Sequence, residues 1–267
     1  MLTLTRSRRK SVTRFEAETL TYAAAIAAAG GTMNVAVLRH VDDFVVEAKA
    51  RGFWNALIEV GPFCGDNLAA ALVKLKHAGQ VTLTNTGFVA GDYVESGVNG
   101  GLNGGNNKSL NTGYVRTSGD NLIAFYNRTA VDNAANRVMI GTRDSFGNEI
   151  KLYHTNTGAD GYDRAPGSAT AVRANETGFY SGHGRPLGTG IMRLAVNGVD
   201  LATDTGSSVL NPDTAMFLWA RNNNGIADQF WTGRGSFYAI GGSSFSSTMV
   251  MPLSDAVRKL QQKLNRL

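Results

Sequence analysis

The chain has 267 residues, one cysteine and a formal net charge of +5. That length buries a substantial core as one large domain or two small ones, a lone cysteine excludes an internal disulfide, and no apolar run reaches the roughly 18 residues of a membrane span. The charge sits at the ends, with +5 in residues 1–14, +3 in residues 254–267 and −3 over everything between, so the body lacks the basic face that nucleic-acid binding needs.

Residues 1–14 read as a flexible basic arm. Arg6, Arg8, Arg9, Lys10 and Arg14 are the candidates for anchoring it, against an acidic surface on a partner subunit or against phosphate. A basic start with no apolar stretch behind it is not a secretory signal. Phe15–Ala29 is Ala-rich and closes at Gly30-Gly31, which predicts a helix. A second helix is predicted over Asn34–Arg51. Val37, Leu38, Val41, Phe44, Val45 and Ala48 form one stripe there, and Gly52 is the stop. Phe53–Val60 reads as a short aromatic helix halted by Gly61-Pro62, and Leu68–Leu75 is too short to assign. Cys64, with no histidine near it in sequence, reads as a buried structural thiol. Residues 15–78 therefore form a helical unit.

From Gln80 onward the text turns to strands, over residues 81–84, 87–95, 122–126, 138–140 and 150–153, with a turn at Ser145-Phe146-Gly147-Asn148. Gly97–Asn107 (GVNGGLNGGNN) reads as a mobile surface loop. It is not a phosphate loop, because Asn107 precedes Lys108 where glycine is required. Residues 153–185, rich in Gly, Asn, Asp, Thr and Ser, read as a long loop carrying Tyr162, Phe179 and Tyr180.

The clearest sheet text is Gly190–Gly242. Asn197-Gly198 suits a type I′ turn, pairing Val196 with Val199 and Leu194 with Leu201. Met192 joins that apolar face, while Arg193, Ala195 and Asp200 go to the other. Ala215–Ala220 (AMFLWA) predicts a strand covered on both faces, and Phe230–Gly242 a further aromatic strand. Ser254 is the expected N-cap of a last helix whose Val257, Leu260, Leu264 and Leu267 dock on the sheet. The expected architecture is a mainly β, two-sheet jelly-roll sandwich over residues 79–253, with the helical unit before it and the 254–267 helix packed on it.

A helical lead-in through GFWNALIEVGPFCG, the strand LIAFYNRT, the strand-turn RLAVNG and the close FYAIGGSSFSSTMVMPLSDAVRKLQQ follow one another here. In that order they resemble bacteriophage virion proteins that carry a concanavalin A-like, laminin G-like jelly roll. The resemblance covers residues 20–265. It implies a fibre, appendage or decoration role on the particle surface, other virion proteins as partners, a homo-oligomeric or multi-copy state, and a host surface glycan as ligand.

The same roll hosts glycoside hydrolases, which need two flanking carboxylates. The seven glutamates include no Glu-Asp-Glu triplet at spacings of two and three, and Lys151 stands where Glu149 would need a second acid. The four histidines make no metal-spaced pair, and no GxSxG elbow occurs. The reading is therefore a non-enzymatic protein with no cofactor; its rivals are a free lectin-like module and a glycan-cleaving enzyme. For glycan contact the candidates are Trp231 and Arg234, with Tyr180 and Tyr162 behind them, since sugar C–H groups pack on aromatic faces. Trp219 reads as core. Asp160, Asp163 and the Asn222–Asn224 loop are the oxygens available to a Ca²⁺ ion.

Overall fold

The structure, a computed structural model, describes residues 14–117, 119–129, 136–155, 159–164, 167–172, 177–184, 190–205 and 211–267. Of the predicted anchoring residues, Arg14 is among these and is exposed. Arg6, Arg8, Arg9 and Lys10 lie outside the described residues.

Four α-helices are described: α1 (Ala17–Ala28), α2 (Val35–Ala50), α3 (Leu68–Ala71) and α4 (Val250–Lys263). Asn34 caps α2 by accepting from the Ala36 N–H at 2.8 Å. The predicted glycine stops hold, with φ of 75° at Gly30 and 78° at Gly52. Each lets the following N–H turn back, Gly31 to the Ile26 carbonyl and Phe53 to that of Ala48. Helix α4 begins at Val250, ahead of the predicted Ser254, which is buried inside it. Pro252 does not break it, because a proline in the first turn lacks only an N–H that has no partner there. The stretch 53–60 is not a helix. A single 3₁₀ turn, Trp54–Ala56, leads into the strand Leu57–Gly61, which pairs with Arg234–Gly241. Cross-strand pairing outweighs the local preference of so short a segment.

The strands form two sheets. One is eight-stranded, in the order Val199–Asp204, Met192–Val196, Gly178–Gly184, Leu122–Asn127, Arg234–Gly241, Gly101–Asn103 and Tyr93–Val94, with Leu57–Gly61 also on Arg234–Gly241. The other is nine-stranded, in the order Gly167–Val172, Ala159–Arg164, Glu149–His154, Arg137–Arg143, Ala215–Leu218, Ser109–Val115 and Thr84–Thr86, with the hairpin Arg221–Asn223/Ile226–Asp228 attached. Among the described strands, pairing is antiparallel except between Arg221–Asn223 and Arg137–Arg143, and an isolated bridge joins Val138 to Phe230 in parallel. The fold is a mainly β jelly-roll sandwich carrying a helical layer.

Two apolar clusters define the layers. Ile123, Phe125, Tyr180, Leu194, Tyr238 and Ile240 face the nine-stranded sheet's Leu110, Ile140, Leu152, Met216 and Leu218. On the other side of the eight-stranded sheet, Leu122, Ala124, Tyr126, Phe179 and Phe237 pack on Tyr22, Phe44, Val45, Val257 and Leu260 of the helices. A strand alternates its side chains between faces. Leu122–Asn127 is buried at every position because both of its faces are covered.

Several predicted loops are strands. Within GVNGGLNGGNN, Gly101–Asn103 pairs with Arg234 and Gly235, so the middle of the run is a strand while Val98, Asn99, Asn106 and Asn107 on either side are exposed. The 153–185 segment supplies Ala159–Arg164, Gly167–Val172 and Gly178–Gly184. Near Val81–Thr84 the strand is shifted to Thr84–Thr86, and the aromatic strand predicted from Phe230 starts at Arg234. The Asn197-Gly198 turn forms as expected, with φ of 52° and 82° and Val196 opposite Val199. A bulge at Leu194/Ala195 then pairs Leu194 with Ala202 instead of Leu201. Ala195 is buried against the helices, while Val199 is exposed at the sheet edge. The strand read as AMFLWA is covered on one face only. Met216 and Leu218 point inward, and Phe217 is half-buried on the outer side.

His183, on Gly178–Gly184, is buried with neither ring nitrogen hydrogen-bonded. Its Nε2 is 3.5 Å from Asp200 Oδ1, and Asp200 is engaged by Arg193 at 2.8 Å. Burial, opposed by Asp200 and reinforced by Arg193, pushes the imidazole from its ordinary 6.5 down to about 4. The folded state thus favours the neutral ring, and its contribution is complete above pH 6.5 and lost as pH falls towards 4. Urea titrations at pH 7 and 4.5 should show a wild-type loss larger by about 2 to 3 kcal/mol than that of His183→Leu. Equal losses in the two proteins would refute the assignment.

Candidate functional site

The helical layer closes the outside of the eight-stranded sheet, whereas among the described residues no helix packs on the outer face of the nine-stranded sheet. Alternation decides what that face presents. On Glu149–His154, Ile150 and Leu152 go to the core, so Glu149, Lys151 and Tyr153 face out. Opposite them, Asp163 pairs with Lys151 and with Ser168, and Gly161 with Tyr153. On the other flank Gly141 lies between Lys151 and Arg221.

These groups form one chain of contacts across the sheet. Arg221 grips Asp228 with two hydrogen bonds, of 2.8 and 2.6 Å, and donates across Gly141 to Glu149 Oε1 at 2.6 Å. Hydrogen bonding to Asp228, and then to Glu149, raises the Arg221 pKa although burial opposes it. The Lys151 ammonium stands 3.2 Å from both Glu149 Oε1 and Asp163 Oδ2, and 4.6 Å above the Tyr153 ring. Asp163 Oδ1 accepts from the Tyr153 hydroxyl at 2.9 Å and from Ser168 Oγ at 2.5 Å. The Tyr153 ring lies flat because Gly161 has no side chain, and a Cβ there would come within 2.4 Å of it. The result is a row of oriented carboxylates, hydroxyls and cations with fixed lone pairs.

This arrangement bears on catalysis. Glu149 and Asp163 do come together, but on a single ammonium that occupies the space between them. A glycosidase needs the scissile bond in that space and a protonated acid on one side of it. In this structure the Lys151 ammonium fills that space.

At one end of the face, two turns are tied together. Asp144 Oδ1 accepts from the N–H groups of Phe146 and Asn148, each at 2.9 Å, and its Oδ2 from Asn148 Nδ2 at 2.7 Å. The Asn224 N–H donates to the Arg143 carbonyl at 2.7 Å, and the Gly225 N–H to Asn222 Oδ1 at 2.7 Å. On this rim Phe146 is 84% exposed and Ile226 74% exposed. Arg143 has Glu149 as its cross-strand neighbour, yet Glu149 is held by Arg221 and Lys151. The Arg143 guanidinium lies beside Gly147, with no ion pair among the described residues.

The predicted glycan residues lie elsewhere. Trp231, Tyr180 and Tyr162 are buried between the sheets, at 1%, 1% and 0% exposure, so none of these rings offers a face to a sugar. Tyr162 fills the space above Gly182, where a Cβ would come within 2.1 Å of the ring. Arg234 is half-buried on the other sheet and donates to the Gly101 carbonyl at 3.2 Å. Trp219 is core, as read; Phe63, Phe88 and Phe125 surround it at 5.0–5.4 Å, edge-on. Of the oxygens considered for Ca²⁺, Asp160 faces inward on His154 at 2.7 Å and Asp163 outward, three positions on and therefore on the opposite face. Among the described residues no three acidic, histidine or cysteine side chains converge as a metal site. Phe146 was missed. Its signal was the SFGN turn itself, since a ring at the tip of a tight turn cannot reach the core.

No family model matches the chain, and no curated protein matches it. Among solved structures, it is similar to the CBM40 of a Ruminococcus gnavus IT-sialidase bound to α2,3-sialyllactose, at 16% identity and a TM-score of 0.41 over 51% of this chain and 82% of that one. It is similar also to a leech intramolecular trans-sialidase, at 16% identity and a TM-score of 0.43 over 58% of this chain and 26% of that one. The receptor-binding domain of botulinum neurotoxin D is a third, at 13% identity and a TM-score of 0.42 over 58% of this chain and 44% of that one. None of these likenesses adds to what the two sheets define.

Proposed function

We propose that this chain is a non-enzymatic glycan-binding jelly roll, carried on the surface of a phage particle and attached through its basic arm. The observation that supports glycan binding is the polar network on the outer side of the nine-stranded sheet, in which Glu149 and Asp163 keep 15% and 17% of their side chains exposed while Lys151, Tyr153 and Arg221 are buried. This network of carboxylates, hydroxyls and cations is fixed before any ligand arrives, which lowers the entropy lost on binding. Phe146 at its rim supplies the exposed aromatic surface that sugar C–H groups pack against. The particle role is supported by the order of the sequence motifs shared with virion proteins, and the arm by its five basic residues without an acid.

The test is a glycan array probed with the full chain, followed by titration of the best ligand. Phe146→Ala removes a side chain that makes little contact with the fold, so its melting temperature should match wild type while its affinity falls about tenfold. An array with no hits, or a Phe146→Ala protein with unchanged affinity, sinks the glycan assignment. The attachment is tested separately, by copy number in purified particles with and without residues 1–14. Retention of the truncated chain at the wild-type copy number would remove the arm from the anchor.

A further inference from the structure

We propose that Lys74 and Glu59 condense inside the sandwich into an intramolecular amide cross-link. Lys74 follows α3, and Glu59 sits on Leu57–Gly61. The Lys74 Nζ is 2.8 Å from Glu59 Oε1, and the two side chains are 0% and 1% exposed. Two further groups complete the arrangement. The Thr112 carbonyl accepts from Nζ at 2.5 Å, and the Tyr238 hydroxyl donates to Glu59 Oε2 at 3.2 Å.

A contact ion pair withdrawn from water loses the hydration of both charges. Passing one proton from the ammonium to the carboxylate leaves a neutral amine and a neutral acid, which the low-dielectric interior tolerates far better. Burial acts in that sense on both groups, pushing Lys74 down and Glu59 up. The neutral pair is also the reactive pair. A desolvated amine carries a free lone pair and is a nucleophile, and a protonated carboxyl can release its hydroxyl as water.

The step balances without an oxidant or a co-reactant. A bond forms from Lys74 Nζ to Glu59 Cδ, and the bond from Cδ to the hydroxyl oxygen breaks. One amine proton leaves with that hydroxyl, giving the amide and one water. The Tyr238 hydroxyl is placed to stabilise the oxygen that gains negative charge as the nitrogen adds. The Thr112 carbonyl fixes the nitrogen by holding one of its N–H groups. Fixed contact of this kind replaces a bimolecular encounter, and effective molarities of about 10⁵ to 10⁸ M are reached in well-oriented intramolecular reactions. The cross-link ties the segment after α3 to the strand beside Arg234–Gly241, in the part of the molecule where the helical layer joins the sheets.

Intact-mass measurement on the purified, folded full chain decides it. The expected mass is one water below that of the sequence, and proteolysis should yield a branched peptide joining the Lys74 and Glu59 segments. A chain at the full sequence mass, with the two peptides recovered separately, overturns the proposal. So does a water loss that maps to another site. Lys74→Arg keeps the charge but cannot condense in this way, so it should show the full mass; a persisting deficit in that protein would also overturn it. Because the wild-type mass is decisive by itself, the test stands even if a variant fails to fold.

Discussion

Replacing Arg266 by alanine should destabilise the protein by about 3 to 5 kcal/mol, the range for removing one partner from a buried charged network. Arg266 is wholly buried, although it lies beyond the last turn of α4. Asn265 adopts φ of 54° and the Arg266 N–H returns to the Gln261 carbonyl at 2.8 Å, which swings the following side chain inward. The guanidinium then donates to the carbonyls of Glu95 at 2.6 Å, Phe63 at 2.7 Å and Pro62 at 3.3 Å. Phe63 holds φ of 47°, so this one cation satisfies carbonyls of a backbone that bends sharply. It also stands 3.8 Å from Glu95, whose pKa burial raises and Arg266 lowers. Alanine would leave several acceptors without donors and the half-buried Glu95 carboxylate without its cation. Lysine restores the charge but not the planar fork, and should recover only part of the loss. Urea midpoints of the three proteins measure this, and a loss below about 1 kcal/mol for Arg266→Ala would contradict it.

The parts of the fold that were legible in the sequence are those decided within a few residues. Gly30, Gly52 and the Asn197-Gly198 pair act through their own φ, and the structure has them where they were read. The two-sheet architecture was legible as well, because alternation survives wherever one face is buried. What local text could not show is which face a second layer covers. LIAFYN and AMFLWA look alike as apolar runs, yet one strand lies between helices and a sheet while the other has an open side. The glycan candidates failed for the same reason. Trp231, Tyr162 and Tyr180 stand beside polar and glycine residues, a context that suggests a surface. Gly182, two residues from Tyr180, instead makes room for the Tyr162 ring in the core.

The site itself was partly legible. Local spacing presents Glu149 and Lys151 as an incomplete acid pair and Asp163 as a metal oxygen. Their contacts span strands separated by turns whose register the sequence does not specify. Arg221 reaches Glu149 across 72 residues of chain, and no spacing rule covers such a pair. The ammonium between two carboxylates and the exposed ring at Phe146 come together as a candidate site only once the sheet orders its strands.

Gly104→Ala should be the other severely destabilising change, with a loss above about 3 kcal/mol, beyond the usual range for an added methyl in a core. A Cβ at Gly104 would lie 2.3 Å from the Trp231 carbonyl oxygen, 2.4 Å from Trp219 Cδ1 and 2.8 Å from the Gly233 carbonyl oxygen. Two of those atoms are backbone, and the third belongs to a ring packed edge-on by three phenylalanines, so none can move aside alone. The strand Gly101–Asn103 would have to leave Arg234–Gly235, and the Gly104 N–H bond to the Gly233 carbonyl, 3.0 Å, would go with it. Gly105 is the internal control. Its Cβ would meet only the flexible Lys108 side chain, at 3.3 Å or more, so Gly105→Ala should stay within about 1 kcal/mol of wild type. Adjacent glycines in one low-complexity run are thus expected to differ severalfold in the same denaturation experiment. The near-ultraviolet circular dichroism of the buried tryptophans should change in Gly104→Ala alone. Equal midpoints for the two variants would mean that the GVNGGLNGGNN run lies on the surface, and that the eight-stranded sheet ends at Arg234–Gly241.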